Sequence, residues 1–327
     1  MYAYKTKTQT AGFQTRAFPP VAGFTIWAKI AQNASAFCVL TSDLNSYFVP
    51  RKSYFNMSFG KKPVIVVAGP TAVGKTEFCV RLAEHFGTEV VSADSRQIYR
   101  EMSIGTAKPT PAEQRGVPHH FIDSHSITDD YTAAAFARDA LACLAEILSR
   151  RPTAVVAGGS TLYVKTLTDG LDEIPDIDPA IRLQLLERLA QSGLPDLLAQ
   201  LDELDAVYAR QVDRANPQRV VRALEVCIGT GRPYSSFRTG RKAERPFRFI
   251  KIGLNRDRPE LYDRIDRRVD AMLEAGLVDE AQRLYPFKDK NALQTVGYQE
   301  VFGWMDGLYD AAEMVRLLKR NTRHYAK

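Results

Sequence analysis

Acidic residues are almost missing from the start of this chain. Across residues 1–59, otherwise rich in Thr, Ser, Ala and aromatics, Asp43 is the only one. A basic, acid-poor leader of that kind reads as an organelle transit peptide. It reads better as a disordered extension or an upstream start codon, since Met57 stands just before the first apolar run. We take residues 1–60 as a disordered extension and leave them out of fold reasoning. Cysteine is sparse as well: Cys38, Cys79, Cys143 and Cys227 are scattered, with no C-x-x-C pair. That argues against structural zinc and for a reduced compartment. No apolar run is long enough for a membrane-spanning helix, because the best early window, 21–40, is broken by Lys29, Gln32 and Asn33. Internal repeats are missing, and so are low-complexity tracts after the leader.

What is present fits a globular protein. The chain is 45% hydrophobic and 25% charged over 327 residues, enough for one large or two ordinary domains. A net charge of +6 permits a nucleic-acid partner without requiring one. The most informative stretch is Gly69-Pro70-Thr71-Ala72-Val73-Gly74-Lys75-Thr76, which fits the phosphate-loop pattern G-x-x-x-x-G-K-[ST]. The run VIVVA at 64–68 predicts a buried parallel strand before it. The spacing of Phe78, Leu82 and Phe86 predicts a helix after it, with Gly87 as its stop. Loop N–H groups and the helix N-terminus would converge on phosphate oxygens. Lys75 would reach the outer phosphates and the Thr76 hydroxyl would hold Mg²⁺.

Further strands are predicted at 89–93 and 154–157, with an amphipathic helix at 132–148 between them. This alternation implies an α/β fold: a P-loop NTPase-like parallel sheet with helices on both faces and ligands at the carboxyl ends of the strands. A turn-rich acidic segment, DEIPDIDP, precedes a purely helical pattern, and the alternating run at 247–252 restores a strand. The organisation expected is a core of 61–170 and 246–327 with C-terminal helices, interrupted by an all-helical insertion over 171–245.

Asp94 follows the second strand directly, where a carboxylate could act as a general base, sit behind Mg²⁺, or simply cap a helix. The third strand ends in Ala157-Gly158-Gly159-Ser160 with no acid to serve as a Walker-B residue, which weakens an ATPase or GTPase reading. Its two glycines suit close backbone approach by a ligand. His119 and His120 have no spaced partner to complete a metal site and are expected to hydrogen-bond locally or touch substrate. Basic residues gather at Arg219 and Arg222, through 238–258 among Phe237, Phe247 and Phe249, and at Arg264, Arg267 and Arg268. Some would pair with Asp263, Asp266 and Asp270 at helical spacing; the rest suit contact with a phosphate backbone.

The ordered set GPTAVGKT (69–76), SADSRQIY (92–99), IGTAKP (104–109), PHHFID (118–123), GGSTLY (158–163), NPQRVVRALEV (216–226) and VGYQE (296–300) resembles the tRNA dimethylallyltransferase family, also called tRNA isopentenyltransferases. The resemblance runs from about residue 63 to the end. It implies transfer of a dimethylallyl group from dimethylallyl diphosphate to N6 of the adenosine at tRNA position 37, with Mg²⁺ as cofactor and the anticodon stem-loop as partner. It implies catalytic roles for Asp94 as proton acceptor, Thr71 at the bridging oxygen and Arg268, from YDRIDRR (262–268), on the leaving diphosphate. Binding of the diphosphate falls to Gly69, Pro70, Thr71, Ala72, Val73, Gly74, Lys75 and Thr76. Contact with tRNA falls to Asp94, Ser95, Arg96, Gln97, Ser160, Gln218, Arg219, Val220, Val221, Arg222, Gln294, Thr295, Val296, Gly297, Tyr298 and Gln299, with the target base leaving its stack.

Two departures from the family pattern stand out: Ser160 where many relatives carry Thr, and an end at Lys327 where relatives continue into a Gln- and Trp-containing tail. The expected protein is a cytoplasmic monomer that does not enter a membrane. Alternatives are a P-loop nucleotide or metabolite kinase, an isopentenyltransferase acting on free adenine nucleotide, and an RNA-binding NTP-dependent switch. The missing Walker-B acid speaks against the switch, and the basic insertion against both small-substrate enzymes. An ATP-binding label would follow the motif's habit alone.

Overall fold

Strands whose two faces are both apolar must be covered on both sides, and this is what the central runs dictate. The structure, a computed structural model, describes residues 14–17, 27–31, 34–41 and 60–326. In β4 (Pro63–Ala68) the residues Val64, Ile65, Val66 and Val67 are all fully buried. Ile65 and Val67 face one layer with Val90 and Val155; Val64 and Val66 face the other with Val91 and Val156. The first face is covered by α1 (Lys75–Phe86), whose Phe78, Leu82 and Phe86 lie in that cluster, and by Leu261 and Ile265 of a later helix. Gly87, with φ of 59°, ends α1 in the left-handed conformation that favours glycine.

The other face is covered by α3 (Ala133–Arg150) and α4 (Thr161–Asp169). Here Phe136, stacked on Tyr163 at 4.3 Å and edge-on to Phe121 at 5.4 Å, fills the layer. Between α1 and α3 the chain forms β5 (Val90–Ala93), the one-turn α2 (Pro111–Gln114) and the two-residue β6 (His119–His120), and between α3 and α4 it forms β7 (Ala154–Gly158). The chain continues through α5 (Pro179–Leu204), α6 (Ala206–Ala209) and α7 (Pro217–Thr230) and then returns to the sheet as β8 (Arg248–Asn255). Parallel pairing runs β8-β4-β7-β5-β6, with Val64 opposite both Ala154 and Phe249.

Disorder is expected through residue 60, yet β1 (Gln14–Ala17), β2 (Trp27–Ala31) and β3 (Ala34–Thr41) extend this sheet, β3 pairing parallel to β8 and the others antiparallel. The unpaired backbone row along β8 is a template for strand addition, and the AFCVL run at 36–40 has the residue types to use it. The remainder of 1–59, and with it Met57 and Asp43, lies outside the described residues. After β8 come α8 (Arg258–Glu274), α9 (Leu277–Leu284), α10 (Tyr298–Met305) and α11 (Ala311–Tyr325), packed around Val269, Leu277, Tyr298, Phe302 and Leu318.

The chain divides into two units, one of Met1–Thr168 with Arg245–Lys327 and one of Asp169–Glu244. The second is wholly helical among its described residues and has its own core of Leu185, Leu197, Leu201, Val220, Val221 and Leu224. Its long helix α5 is broken at Gly193, where φ is 77°, with Pro195 opening the second half. Within it the buried Glu225 pairs with Arg182 at 3.2 Å and Arg222 at 3.1 Å. Among the described residues no helix is long and apolar enough to cross a membrane.

Phe136→Ala is expected to destabilise the α/β unit by about 3–5 kcal/mol. A fall in the urea midpoint of that unit measures it, and a loss below about 1 kcal/mol would show that the aromatic stack is not a core element.

Candidate functional site

Four chain segments meet at the carboxyl ends of β4, β5, β7 and β8. The first is the loop 69–74. Ala72 has φ of 63° and Gly74 of 106°, so the backbone turns back on itself before entering α1. Gly69 has no room for a side chain: a Cβ there would stand 2.7 Å from the Leu254 carbonyl oxygen on β8. Lys75 folds over the loop and donates from Nζ to the carbonyls of Gly69 (2.9 Å) and Pro70 (2.8 Å). Burial pushes its ammonium down to about 8; Asp94 and Cys79 oppose the shift and Arg268 adds to it. Thr76, on the first turn of α1, is partly exposed.

The second segment is the turn after β5. Asp94 Oδ1 accepts hydrogen bonds from the backbone N–H of Arg96 (2.9 Å) and Gln97 (3.2 Å). Its Oδ2 accepts none from the described residues and faces Gly159, where an added Cβ would lie 2.1 Å from it. The two glycines at the end of β7 are therefore required by the protein itself, not by a ligand as the sequence suggested. Gly159 makes room for the Asp94 carboxylate, and Gly158 lies against the Val67 carbonyl and Val164. Ser160 donates its N–H to the Ala93 carbonyl at 2.8 Å and its side chain stands at the start of α4.

The third segment, from β8 into α8, brings arginines onto the loop. Arg268 Nη1 lies 3.5 Å from Thr71 Oγ1, so the two expected catalytic partners of Asp94 do meet. Arg256 Nε donates to the Val73 carbonyl at 2.9 Å and Arg264 Nε to that of Ala72 at 2.8 Å. Arg256, which also pairs with Glu260, is thus spent on the phosphate loop and not on a nucleic-acid backbone as its place in the basic run suggested. Arg267 pairs with Asp263 on the helix surface. Burial, and then the neighbouring Arg264, pulls the Arg268 guanidinium below its ordinary value. Burial and the neighbouring Arg256 do the same to Arg264. Both remain charged, since arginine deprotonates only far above neutrality.

The fourth segment precedes α10. Gln294 and Gln299 are exposed and hydrogen-bonded to each other at 2.8 Å, and Arg96 Nη2 reaches the Gln294 carbonyl at 3.5 Å. Thr295 and Val296 are half-buried, and Gly297 is buried with φ of 107°. Tyr298, expected to touch tRNA, is instead fully buried, its ring against Gly105. Val220 and Val221 are corrected likewise: helical periodicity turns them into the core of the second unit, leaving Gln218 and Arg219 exposed and Arg222 half-exposed.

His119 bonds the Val117 carbonyl through Nδ1, and His120 bonds Glu89, so both serve the sheet edge. Burial alone would raise Glu89, yet hydrogen bonds from His120 and Arg150 hold its carboxylate below the usual range.

A cationic loop beside an acceptor carboxylate can hold an anionic leaving group and take up a proton a short way off. A family model described as IPP transferase matches residues 97–327. The tRNA dimethylallyltransferase of Cytophaga hutchinsonii is 54% identical over 271 residues, 83% of this chain and 89% of that one. The tRNA dimethylallyltransferase 1 of Phocaeicola vulgatus is 48% identical over 264 residues, 81% of this chain and 88% of that one. Among solved structures, the full-length tRNA isopentenylpyrophosphate transferase of Bacillus halodurans is similar with a TM-score of 0.58 and 39% identity, over 81% of this chain and 84% of its own. A eukaryotic dimethylallyltransferase acting on tRNA gives a TM-score of 0.68 at 28% identity, over 81% and 68%.

A lysine titrating near 8 makes anion binding at the loop pH-dependent. The charged form lies below that value, so affinity is full at pH 7 and is lost as pH rises. Binding of inorganic diphosphate is expected to weaken by up to about fivefold from pH 8 to pH 9, because the bound anion holds the Lys75 proton more tightly than the free protein does. Calorimetric titrations showing a flat affinity across pH 7–9 would remove Lys75 from that role.

Proposed function

The chain belongs to the IPP transferase family, and on that premise we propose that its site transfers a dimethylallyl group from dimethylallyl diphosphate to N6 of the adenosine at tRNA position 37. It is a prenyltransferase that modifies tRNA, as its relatives are named for doing. The observation that carries the finer reading is the Asp94 carboxylate, with one oxygen fixed by two backbone N–H groups and the other turned toward the Gly159 backbone, beside a loop crowded with cations.

An exocyclic adenine amine is a weak nucleophile because its lone pair is conjugated with the ring. As the N6–C1 bond forms, Asp94 Oδ2 takes the departing N6 proton. The C1–O bond breaks with its electron pair going to diphosphate. The loop N–H groups, Lys75, Thr71 and Arg268 hold the charge that collects there. The donor set suits Mg²⁺: the Thr76 hydroxyl would hold it as a hard oxygen ligand, and when bound it would neutralise diphosphate oxygens.

We assign tRNA contact to the turn of Asp94, Ser95, Arg96 and Gln97, to Ser160, to Gln218, Arg219 and Arg222, and to Gln294, Thr295, Val296 and Gln299. We also take the enzyme to act as a cytoplasmic monomer. The free Cys79, Cys143 and Cys227 fit a reducing compartment.

Purified protein given Mg²⁺, labelled dimethylallyl diphosphate and a tRNA with A at position 37 is expected to place label in the RNA; label in AMP instead would overturn the tRNA reading. Asp94→Asn keeps Oδ1 for its two N–H partners and removes only basicity. It is expected to lower kcat by roughly 10²- to 10⁴-fold with diphosphate affinity little changed, and near-full activity would rule out the proton-acceptor role. Arg219→Ala is expected to weaken tRNA binding and to reduce the salt-dependence slope by about one; an unchanged slope would take that residue off the interface.

A further inference from the structure

Glu280 is a carboxylate on the apolar face of α9, flanked there by Leu277, Ala281 and Leu284, and it is 4% exposed. Burying a carboxylate costs several kcal/mol unless its lone pairs are satisfied. All four of them are. Oε2 accepts the backbone N–H of Ser103 and of Ile104, both at 2.9 Å, while Oε1 accepts that of Gly105 at 2.9 Å and the Tyr298 hydroxyl at 2.6 Å. Three consecutive N–H groups form a cup around the anion. Gly105 must be glycine for the same reason: a Cβ there would stand 2.6 Å from the Tyr298 ring.

The loop so held is the one that grips the reactive turn. Ala107 sits at φ of 48°, and the carbonyls of Thr106 and Ala107 both accept Gln97 Nε2 at 3.2 Å. The N–H of Gln97 in turn donates to Asp94 Oδ1. On its other side Glu280 anchors Tyr298, the first residue of α10, directly after the segment whose Gln294 carbonyl receives Arg96. One buried carboxylate therefore ties together the turn carrying Asp94 and the segment 294–299, both assigned to tRNA contact.

We propose that Glu280 is a positioning residue for prenyl transfer: through loop 103–107 and Gln97 it sets the Asp94 carboxylate in register with the bound RNA, without touching substrate. This rests on the reading of the site as a tRNA prenyltransferase. Glu280→Gln is nearly isosteric but puts an N–H₂ group among donors. It is expected to lower kcat roughly ten- to a hundredfold, as sub-ångström misplacement does, while KM for dimethylallyl diphosphate and affinity for inorganic diphosphate stay within about twofold.

A merely structural role would not produce the next result. Combined with Gln97→Ala, the losses in kcat should not multiply, because both changes cut one path. Multiplicative losses, or a normal kcat in Glu280→Gln, would overturn the inference. If Glu280→Gln does not fold, Tyr298→Phe, which keeps the ring and removes one of the four donors, serves in its place with the same cycle. It is expected to lose about threefold or more in kcat, and an unchanged value overturns the inference equally. Wild-type protein that labels no tRNA at all would sink the underlying reading, and the inference with it; wild-type activity retained in the variant sinks the inference alone.

Discussion

Positive charge gathered in one half-buried place is the constraint on which the rest of this structure depends. Burial first and a neighbouring arginine second (Arg268 for Lys75, Arg256 for Arg264, Arg264 for Arg268) pull each of the three below its ordinary protonation range. Such a cluster is unfavourable in a folded protein unless the backbone answers it. It does so with carbonyl oxygens: those of Gly69 and Pro70 accept Lys75, and those of Ala72 and Val73 accept Arg264 and Arg256. The loop's left-handed residues turn those carbonyls toward the cations, so that its N–H groups are left for an anion. Fold and chemistry are thus one problem, solved by the β8–α8 connection lying over the β4–α1 loop.

The carboxylate side of the site is built by division of labour between two oxygens. A helix-cap role and the proposed general-base role for Asp94 look like rivals in the sequence, but they would fall on different atoms. Oδ1 fixes the turn through Arg96 and Gln97, and that leaves Oδ2 oriented without being consumed. A base whose position is set by backbone N–H groups does not have to be reorganised during the reaction.

Much of this was legible because its signals are local. A β-branched run, a glycine-rich turn and an apolar stripe four residues apart need only nearest neighbours to be read, and β4, the loop and α1 follow. That Arg268 would come to lie beside Thr71 was signalled by resemblance alone. What escaped depends on partners far along the chain. Glu280 looks like any acid on an amphipathic helix until residues 103–105 bring it their N–H groups. Arg256 and Arg264 look like surface cations at pairing distance from Asp and Glu, since nothing in their spacing shows a carbonyl from the loop. Val220, Val221 and Tyr298 are the inward-facing residues of motifs whose other members face outward. A helical wheel separates Gln218, Arg219 and Arg222 from the inward valines, and that signal was in the sequence. The strands between 14 and 41 followed from a β8 edge that only the assembled sheet exposes.

The missing acid at the end of β7 and the acid at the end of β5 are best understood as a single substitution of function. In nucleotide hydrolases a carboxylate after the strand beside the phosphate loop holds Mg²⁺. Here that position falls at Gly158 and Gly159, and a Cβ at Gly159 would already collide with Asp94 Oδ2. The space admits one carboxylate, not two. Supplying it from β5 places the free oxygen where Gly159 lines the wall, and its charge reaches Lys75 across the loop mouth. An acid so placed is less suited to orienting water for phosphate cleavage than to accepting a proton from a nucleophile that attacks carbon. In the proposed reaction a phosphate loop with this neighbour serves the group that leaves and not the group that is transferred, and a diphosphate suffices for that.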